Sequence, residues 1–235
     1  MKKAIIILNR LNISGFDSKT RIGRAVHSQS EANLFSEFLL EILVNNIKGF
    51  EGDIFICYPK TSILDQVYEI EIAGRTIECL QQINEGSILT HISDVIKTIQ
   101  KRNYNQIVCT VSDAPYLDQN FFLLMFELMK KYDVVISPAM DGGINAYAVH
   151  NDSRVDWIYS ENEVSRTKNY HLLNDIEENL KSLSINYFIL GKKYSDIDTL
   201  EDIKEFYDYI MNKNNRNSYN VALVNLIEKW IKFKV

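Results

Sequence analysis

Residues 107–117, reading Ile-Val-Cys-Thr-Val-Ser-Asp-Ala-Pro-Tyr-Leu, constrain this chain more than any other stretch. The run from Ile107 to Val111 is apolar or β-branched with no polar alternation, the pattern of a strand covered on both faces within a parallel sheet. Pro115 has no N–H to give a ladder, so the strand closes before it and Asp113 falls on the loop just past the strand's C-terminal end. In open α/β sheets that edge is where ligands bind. Asp113 is therefore either a ligand-facing carboxylate or the cap of a helix starting near Gln119, and the residues alone leave both readings open.

The flanking pattern alternates strand and helix. Strands are expected at 3–8, 53–58, 133–137 and 185–190. Two further extended runs fall at 70–73 and 76–80, and a half-exposed strand is expected after Asp141-Gly142-Gly143, running to His150. Helical spacing marks 30–47 with Ser30 as N-cap, a short piece at 62–67, then 87–101, 119–131, 171–183, a helix opening within 196–202 and ending near 210, and 219–233. Such βαβ alternation implies an α/β fold with a mostly parallel sheet and right-handed crossovers. No internal repeat is visible. The 235 residues fit one domain over 1–212, followed by a polar linker and C-terminal helix over 213–235. That last helix is amphipathic through Leu223, Val224, Ile227, Trp230 and Ile231, and packs either on the body or on a second subunit, giving a homodimer in the latter case.

Charge narrows the partner class. A formal charge of −5 with no basic surplus argues against nucleic acid and for a small molecule. No apolar stretch approaches the ~20 residues that span a bilayer, and the first strand lacks a cleavage site. Cys57, Cys79 and Cys109 have no metal-type spacing and read as reduced thiols, which suits a cytoplasmic protein.

Asp113 and Asp198 both follow apolar strands, and a parallel sheet brings such ends to one edge, where the two carboxylates would face each other. Mg²⁺ suits that arrangement, being held by one or two carboxylates plus substrate phosphates. The competing reading of Asp198 is structural, since Glu201 three residues on makes a capping-box spacing. Asp196 reads as solvated or as support behind the ligands. Arg10, Lys19, Arg21 and Arg24 lie in a long segment directly after the first strand, where phosphates would sit; phosphoryl transition states need such charge. The competing reading is a solvated basic loop. No Walker-type Gly-x-x-x-x-Gly-Lys-Ser/Thr occurs there. Gly142 and Gly143 allow close backbone approach to a ligand or simply a tight turn. Ser112 has no nucleophile-elbow frame, and His150 and His171 have no metal-type partners.

Lys19-Thr20-Arg21 before a long helix, Ser112-Asp113-Ala114-Pro115-Tyr116-Leu117, Asp141-Gly142-Gly143, and Asp196-Ile197-Asp198-Thr199-Leu200-Glu201-Asp202 together resemble nucleotidyltransferases of the glycosyltransferase-A-like fold. The branch in question includes molybdenum-cofactor nucleotidyltransferases and phospholactate guanylyltransferases. The resemblance implies a three-layer, Rossmann-like sheet of that type. It also implies magnesium on Asp113 and on Asp198 or Asp196, with Lys19 and Arg21 as phosphate-binding cations. Arg10, Arg24 and Ser112 would lie along the nucleotide, and Gly142-Gly143 would form part of the substrate wall. Two departures stand out: the Gly-rich loop of the better-known members is missing after Leu8, and Leu200 replaces the usual proline. The expected activity is magnesium-dependent transfer of a nucleoside monophosphate from a triphosphate to a small phosphorylated or hydroxylated acceptor, releasing pyrophosphate. A sugar transferase using a nucleotide sugar, suggested by the Asp-x-Asp at Asp196 and Asp198, and a non-catalytic nucleotide-binding protein are the alternatives.

Overall fold

The computed structural model describes residues 1–9, 17–58, 68–81, 88–151, 172–212 and 220–232. In chain order its elements are β1 (Lys3–Leu8), α1 (Thr20–Ala25), α2 (Gln29–Asn46), β2 (Asp53–Tyr58), β3 (Tyr68–Ile72), β4 (Arg75–Gln81), α3 (Ile88–Gln100), β5 (Gln106–Val111), α4 (Gln119–Leu128), β6 (Val134–Pro138), β7 (Ile144–His150), α5 (Leu172–Ser182), β8 (Tyr187–Ile189), α6 (Leu200–Asn212) and α7 (Val221–Lys232). The short helix expected at 62–67, His171 and the linker 213–219 lie outside the described residues.

The strands form one sheet in the order β3-β4-β2-β1-β5-β7-β6-β8. β1 pairs in parallel with β2 and β5, β2 with β4, and β6 with β8; β3 and β7 run against their neighbours. Most strands therefore point one way, as the βαβ alternation requires. The period-two pleat of β1 divides the core. Ile5 and Ile7 pack under α2 and α4 with Leu40, Leu43, Phe122 and Phe126, whereas Ala4, Ile6 and Leu8 pack against Ile92, Ile96 and Ile99 of α3 and Leu180 of α5. Three layers result.

A further layer lies behind α2. Its Phe35, Phe38, Leu39 and Ile42 face Ile203 and Phe206 of α6 and Leu223, Ile227 and Trp230 of α7. α2 is thus apolar on two sides, one for the sheet and one for the C-terminal helices, which broadens its apolar face beyond a single stripe. α7 packs on the body of its own chain through these residues.

Two local expectations are corrected and a third is sharpened. β7 is not half-exposed: Asn145 to Val149 are buried, because the strand inserts antiparallel between β5 and β6 and is covered on both faces. The N-cap of α2 is Ser28 rather than Ser30, its hydroxyl accepting from Glu31 N at 3.4 Å. The runs at 70–73 and 76–80 form a hairpin whose turn places Ala73 at φ 52° and Gly74 at φ 75°, the paired positive φ of tight two-residue connections. The cysteines are buried thiols, none of them in a disulfide among the described residues; burial pushes the Cys109 thiol up to about 12, consistent with a small hydrophobe. None of the described helices is long and apolar enough to cross a membrane.

Trp230 anchors the added layer. Its ring meets Phe35 edge-on at 5.3 Å and its Nε1 donates to Glu31 Oε2 at 2.7 Å, while Lys229 donates to the other Glu31 oxygen. Trp230→Ala is expected to cost about 3–5 kcal/mol in urea unfolding, as for other buried aromatic truncations. The hydrogen bonds from Lys229 and then Trp230 hold the Glu31 carboxyl below its ordinary range. A depressed carboxyl stabilises above its unfolded pKa of about 4.3 and loses that contribution as pH falls through the folded value. The stability gap between wild type and Glu31→Gln should therefore close below about pH 4.

Candidate functional site

β1 and β5 are paired so that Leu8 lies opposite Val111, and both strands therefore end at the same level. Asn9 and Ser112, the next residues, are lashed together: Asn9 Nδ2 donates to Ser112 Oγ at 2.7 Å and Ser112 N donates to Leu8 O at 3.1 Å. Ser112 is buried at this junction with its hydroxyl already accepting, and Asp113 emerges just above it. The capping alternative for Asp113 is removed, because Asp118 caps α4 by accepting from Phe121 N at 2.9 Å. Asn46 Nδ2 holds the turn between them through the carbonyls of Pro115 and Leu117, at 2.9 and 3.2 Å.

Asp198 arrives from the other side of the sheet. Asp113 O accepts from Ile197 N at 3.0 Å, which fastens the segment after β8 to the segment after β5. The capping box at the start of α6 is Thr199 with Asp202, not Asp198 with Glu201. Asp202 Oδ2 accepts from Thr199 N at 2.7 Å and from Asp198 N at 3.0 Å, and Asp202 N donates back to Thr199 Oγ1 at 3.3 Å. Asp202 and Thr199 thereby satisfy the helix start and leave the Asp198 carboxylate available.

Lys19 joins the two acids. Its Nζ lies 2.8 Å from Asp113 Oδ2 and 2.8 Å from Asp198 Oδ1, and its side chain is only 6% exposed. Burial disfavours the ammonium, but the adjacent Asp113 and Asp198 carboxylates outweigh it and raise the Lys19 pKa. Asp198 is the mirror case: burial pushes its carboxyl up, Lys19 and then Arg21 pull it further down, and the net shift is downward. The Lys19 backbone sits at φ 51°, ψ 42°, a left-handed conformation non-glycine residues seldom adopt and one that concentrates at functional sites. What holds it there is a polar clamp from α2. Asn33 Oδ1 accepts from Ser18 N at 2.9 Å and from Gln29 Nε2 at 2.8 Å, and Gln29 Nε2 also donates to Ser18 O at 2.6 Å. A Cβ at Gly23 would lie 2.3 Å from Gln29 Oε1 and push that amide off the clamp.

Arg21 stands at the rim, 3.5 Å from Asp198 Oδ2 and 74% exposed, and Arg24 is exposed further along α1. Asp196 lies below the pair with Oδ1 buried and without a hydrogen-bond partner. Burial first, then the charges of Asp113, Asp141 and Asp198, push its carboxyl up to about 8, against the pull of Lys19. Asp141 comes from the loop after β6, where its Oδ1 accepts from Gly143 N at 2.8 Å and Gly142 takes φ 90°. The glycine pair thus shapes a turn at the same edge as the acids and brings a further carboxylate towards them.

The structure therefore brings together Lys19, Arg21, Asp113, Asp196 and Asp198, with Gly142 and Gly143 beside them and Ser112 beneath. Arg10 and His171 lie outside the described residues. His150 is at the opposite end of the sheet, paired with Gln106 at the start of β5, with Nε2 2.7 Å from Met129 O. Asn9, Gln29, Asn33, Asp141 and the Thr199–Asp202 cap escaped the sequence reading. The one signal available was that Gln29 and Asn33 stand four apart, on one face of α2.

Among the described residues no group of three or more His, Cys, Asp or Glu side chains is arranged to enclose a metal ion. The donor set instead fits a cation that takes two carboxylates from protein and completes its shell elsewhere, the habit of Mg²⁺. The Lys19 ammonium is a stand-in for it, since one positive atom already contacts an oxygen of each acid.

A family model described as guanylyl transferase CofC like matches residues 2–226. The 2-phospho-L-lactate guanylyltransferase of Methanocaldococcus jannaschii is 25% identical over 209 residues, covering 87% of this chain and 82% of that protein. Among solved structures, a candidate nucleotide-diphospho-sugar transferase from Desulfovibrio desulfuricans superposes with a TM-score of 0.81 at 20% identity, covering 98% of this chain and 99% of that one. The 4-diphosphocytidyl-2C-methyl-D-erythritol synthase of Anaerococcus prevotii gives 0.55 at 12% identity, covering 89% and 98%. Both superpositions speak to fold alone.

Asp202→Ala removes the carboxylate that accepts from Asp198 N and Thr199 N. It should lower stability by about 0.5–2 kcal/mol, the range for a lost helix cap, read from the midpoint of urea unfolding. Glu201→Ala, outside that box, should leave the midpoint unchanged.

Proposed function

The chain belongs to the CofC-like guanylyl transferase family, and from that premise we propose that it moves a guanylyl group from GTP to a small phosphorylated carboxylic acid of the phospholactate type, with Mg²⁺ as cofactor and pyrophosphate as second product. The observation that carries this reading is the pair Asp113 and Asp198 meeting around one positive atom at the carboxyl edge of the sheet. The relatives named for phospholactate support the acceptor class and the base.

The chemistry follows from the charges. A phosphate oxygen of the acceptor attacks the α-phosphorus of the triphosphate, the bond from that phosphorus to the α,β-bridging oxygen breaks, and pyrophosphate leaves with the electron pair. The attacking oxygen is already anionic, so no strong general base is needed. What the site must supply is positioning and positive charge for the non-bridging oxygens. Asp113 and Asp198, with Asp196 behind them, would hold the metal; when bound, a divalent cation neutralises and orients the phosphates. Arg21 at the rim is placed to receive the polyphosphate as it enters, and Arg24 one turn further along α1 extends that positive strip. Lys19 supplies the innermost cation. Ser112 and Asn9 keep the two strand ends in register beneath Asp113, and Gly142 and Gly143 give the far wall a backbone surface without side chains.

A pyrophosphate-release assay with each of the four nucleoside triphosphates, Mg²⁺ and a phospholactate-type acceptor tests the proposal. GTP should be preferred, and chelation of the metal should stop turnover. Asp113→Asn should lower kcat/KM by about a hundredfold or more, in line with the loss of a group that stabilises developing charge, while its thermal transition moves little. Unchanged turnover in Asp113→Asn would remove the metal assignment. Release of a nucleoside diphosphate from a nucleotide sugar, with no pyrophosphate from GTP, would replace nucleotidyl by sugar transfer.

A further inference from the structure

We infer that Lys19 and a divalent cation are alternative occupants of one place, so that the ammonium between Asp113 and Asp198 leaves when metal enters and is handed to the polyphosphate. This rests on the metal assignment in the proposed function and adds an exchange step to it. Lys19 Nζ contacts one oxygen of each acid at 2.8 Å, and it does so from a nearly fully buried side chain. A cation accepting both those oxygens would sit where Nζ sits. Two positive centres cannot share that point at low dielectric without strong repulsion.

The geometry also says what moves. The Lys19 backbone is fixed on both sides, by Gly23 N donating to Lys19 O at 2.9 Å and by the Ser18 clamp from Gln29 and Asn33. Displacement is therefore a rotation of the lysine stem about a stationary Cα, not a loop opening. Arg21, 3.5 Å from the other oxygen of Asp198, keeps a positive partner on that acid when the ammonium swings out. A lysine released without an anion to receive it would have exchanged two carboxylates for water alone. Metal binding and triphosphate binding should then reinforce each other, since the nucleotide supplies the new partner.

The test uses Mn²⁺ as probe, followed by electron paramagnetic resonance of the free ion, with no nucleotide present. Lys19→Met should bind Mn²⁺ about tenfold more tightly than wild type, because it lacks the competing charge. GTP should tighten Mn²⁺ binding more in wild type than in Lys19→Met. Equal or weaker Mn²⁺ binding by a Lys19→Met protein with a native circular dichroism spectrum would overturn the exchange. Should that variant not fold, the wild type decides: acetic anhydride should label Lys19 slowly without Mn²⁺ and severalfold faster with it, and an unchanged or slower rate would equally overturn the idea. Neither readout involves turnover, so a protein that passes both yet makes no product from GTP would refute guanylyl transfer and leave the exchange standing.

Discussion

One ammonium group ties three distant parts of this chain into a site. Lys19 follows β1, Asp113 lies 94 residues further on after β5, and Asp198 is 179 residues from Lys19 after β8. The Lys19 charge is not stable in its buried position alone, because a desolvated ion without a partner costs several kcal/mol. Lys19 is charged because two carboxylates surround it, and Asp198 is ionised because Lys19 and Arg21 face it. Asp196, which has no such partner for Oδ1, shows the alternative: its carboxyl is pushed towards the protonated form.

The sheet makes this meeting possible through register. With Lys3 opposite Gln106 and Leu8 opposite Val111, β1 and β5 begin and end together, and their apolar runs are consumed inside the layers. The first polar residues past each strand must then emerge at one edge. β6 and β8, parallel to each other, deliver Asp141 and the segment 190–199 to that same edge. The isolated bridge between Ala139 and Tyr194 closes the gap between those two segments. Separation of labour is clear in the burial pattern. Apolar side chains fill both faces and the added layer of α6 and α7, while the most deeply sheltered of the described ion pairs, those of Lys19, lie at one rim.

Much of this could be read from the residues, and the misses have physical causes. Strands 3–8, 53–58 and 107–111 were legible because β-branched runs with no polar alternation suit a strand buried on both faces. Asp113 was legible because an acid just past such a strand has few other places to go, whereas Asp198 lies well beyond the end of β8 and was legible through the motif from Asp196 to Asp202. The burial of β7 was not, since Ala146 and Ala148 make one face small and Asn145 marks the other as polar; only the order β5-β7-β6 covers both. The competing reading of Asp198 places the cap of α6 one residue early, because Asp198–Glu201 and Thr199–Asp202 share the same spacing; the box is Thr199 with Asp202, and the Asp198 carboxylate meets Lys19 instead. The clamp by Gln29 and Asn33 left almost no trace, as its target is the backbone of Ser18 rather than a complementary side chain. The Lys19 bridge itself was invisible: a basic loop after a first strand says where positive charge begins, not where it ends.

Under the proposed function, the bridge would also explain how an acidic edge serves a polyanion. Asp113, Asp141, Asp196 and Asp198 converge there, against Lys19 buried and Arg21 exposed. With Lys19 held between two acids, its charge is spent locally, and among the described residues a triphosphate approaching the rim would meet the exposed Arg21 and Arg24. In the proposed exchange a divalent cation would change both terms at once, since it would neutralise the acids and free the ammonium to act outward. The field at the edge would then reverse where the phosphates would lie, and low dielectric would magnify the reversal. On that reading the site would be poorly suited to bare nucleotide and well suited to a metal–nucleotide complex, and the arrangement of charges, more than any single contact, would select the reactive species.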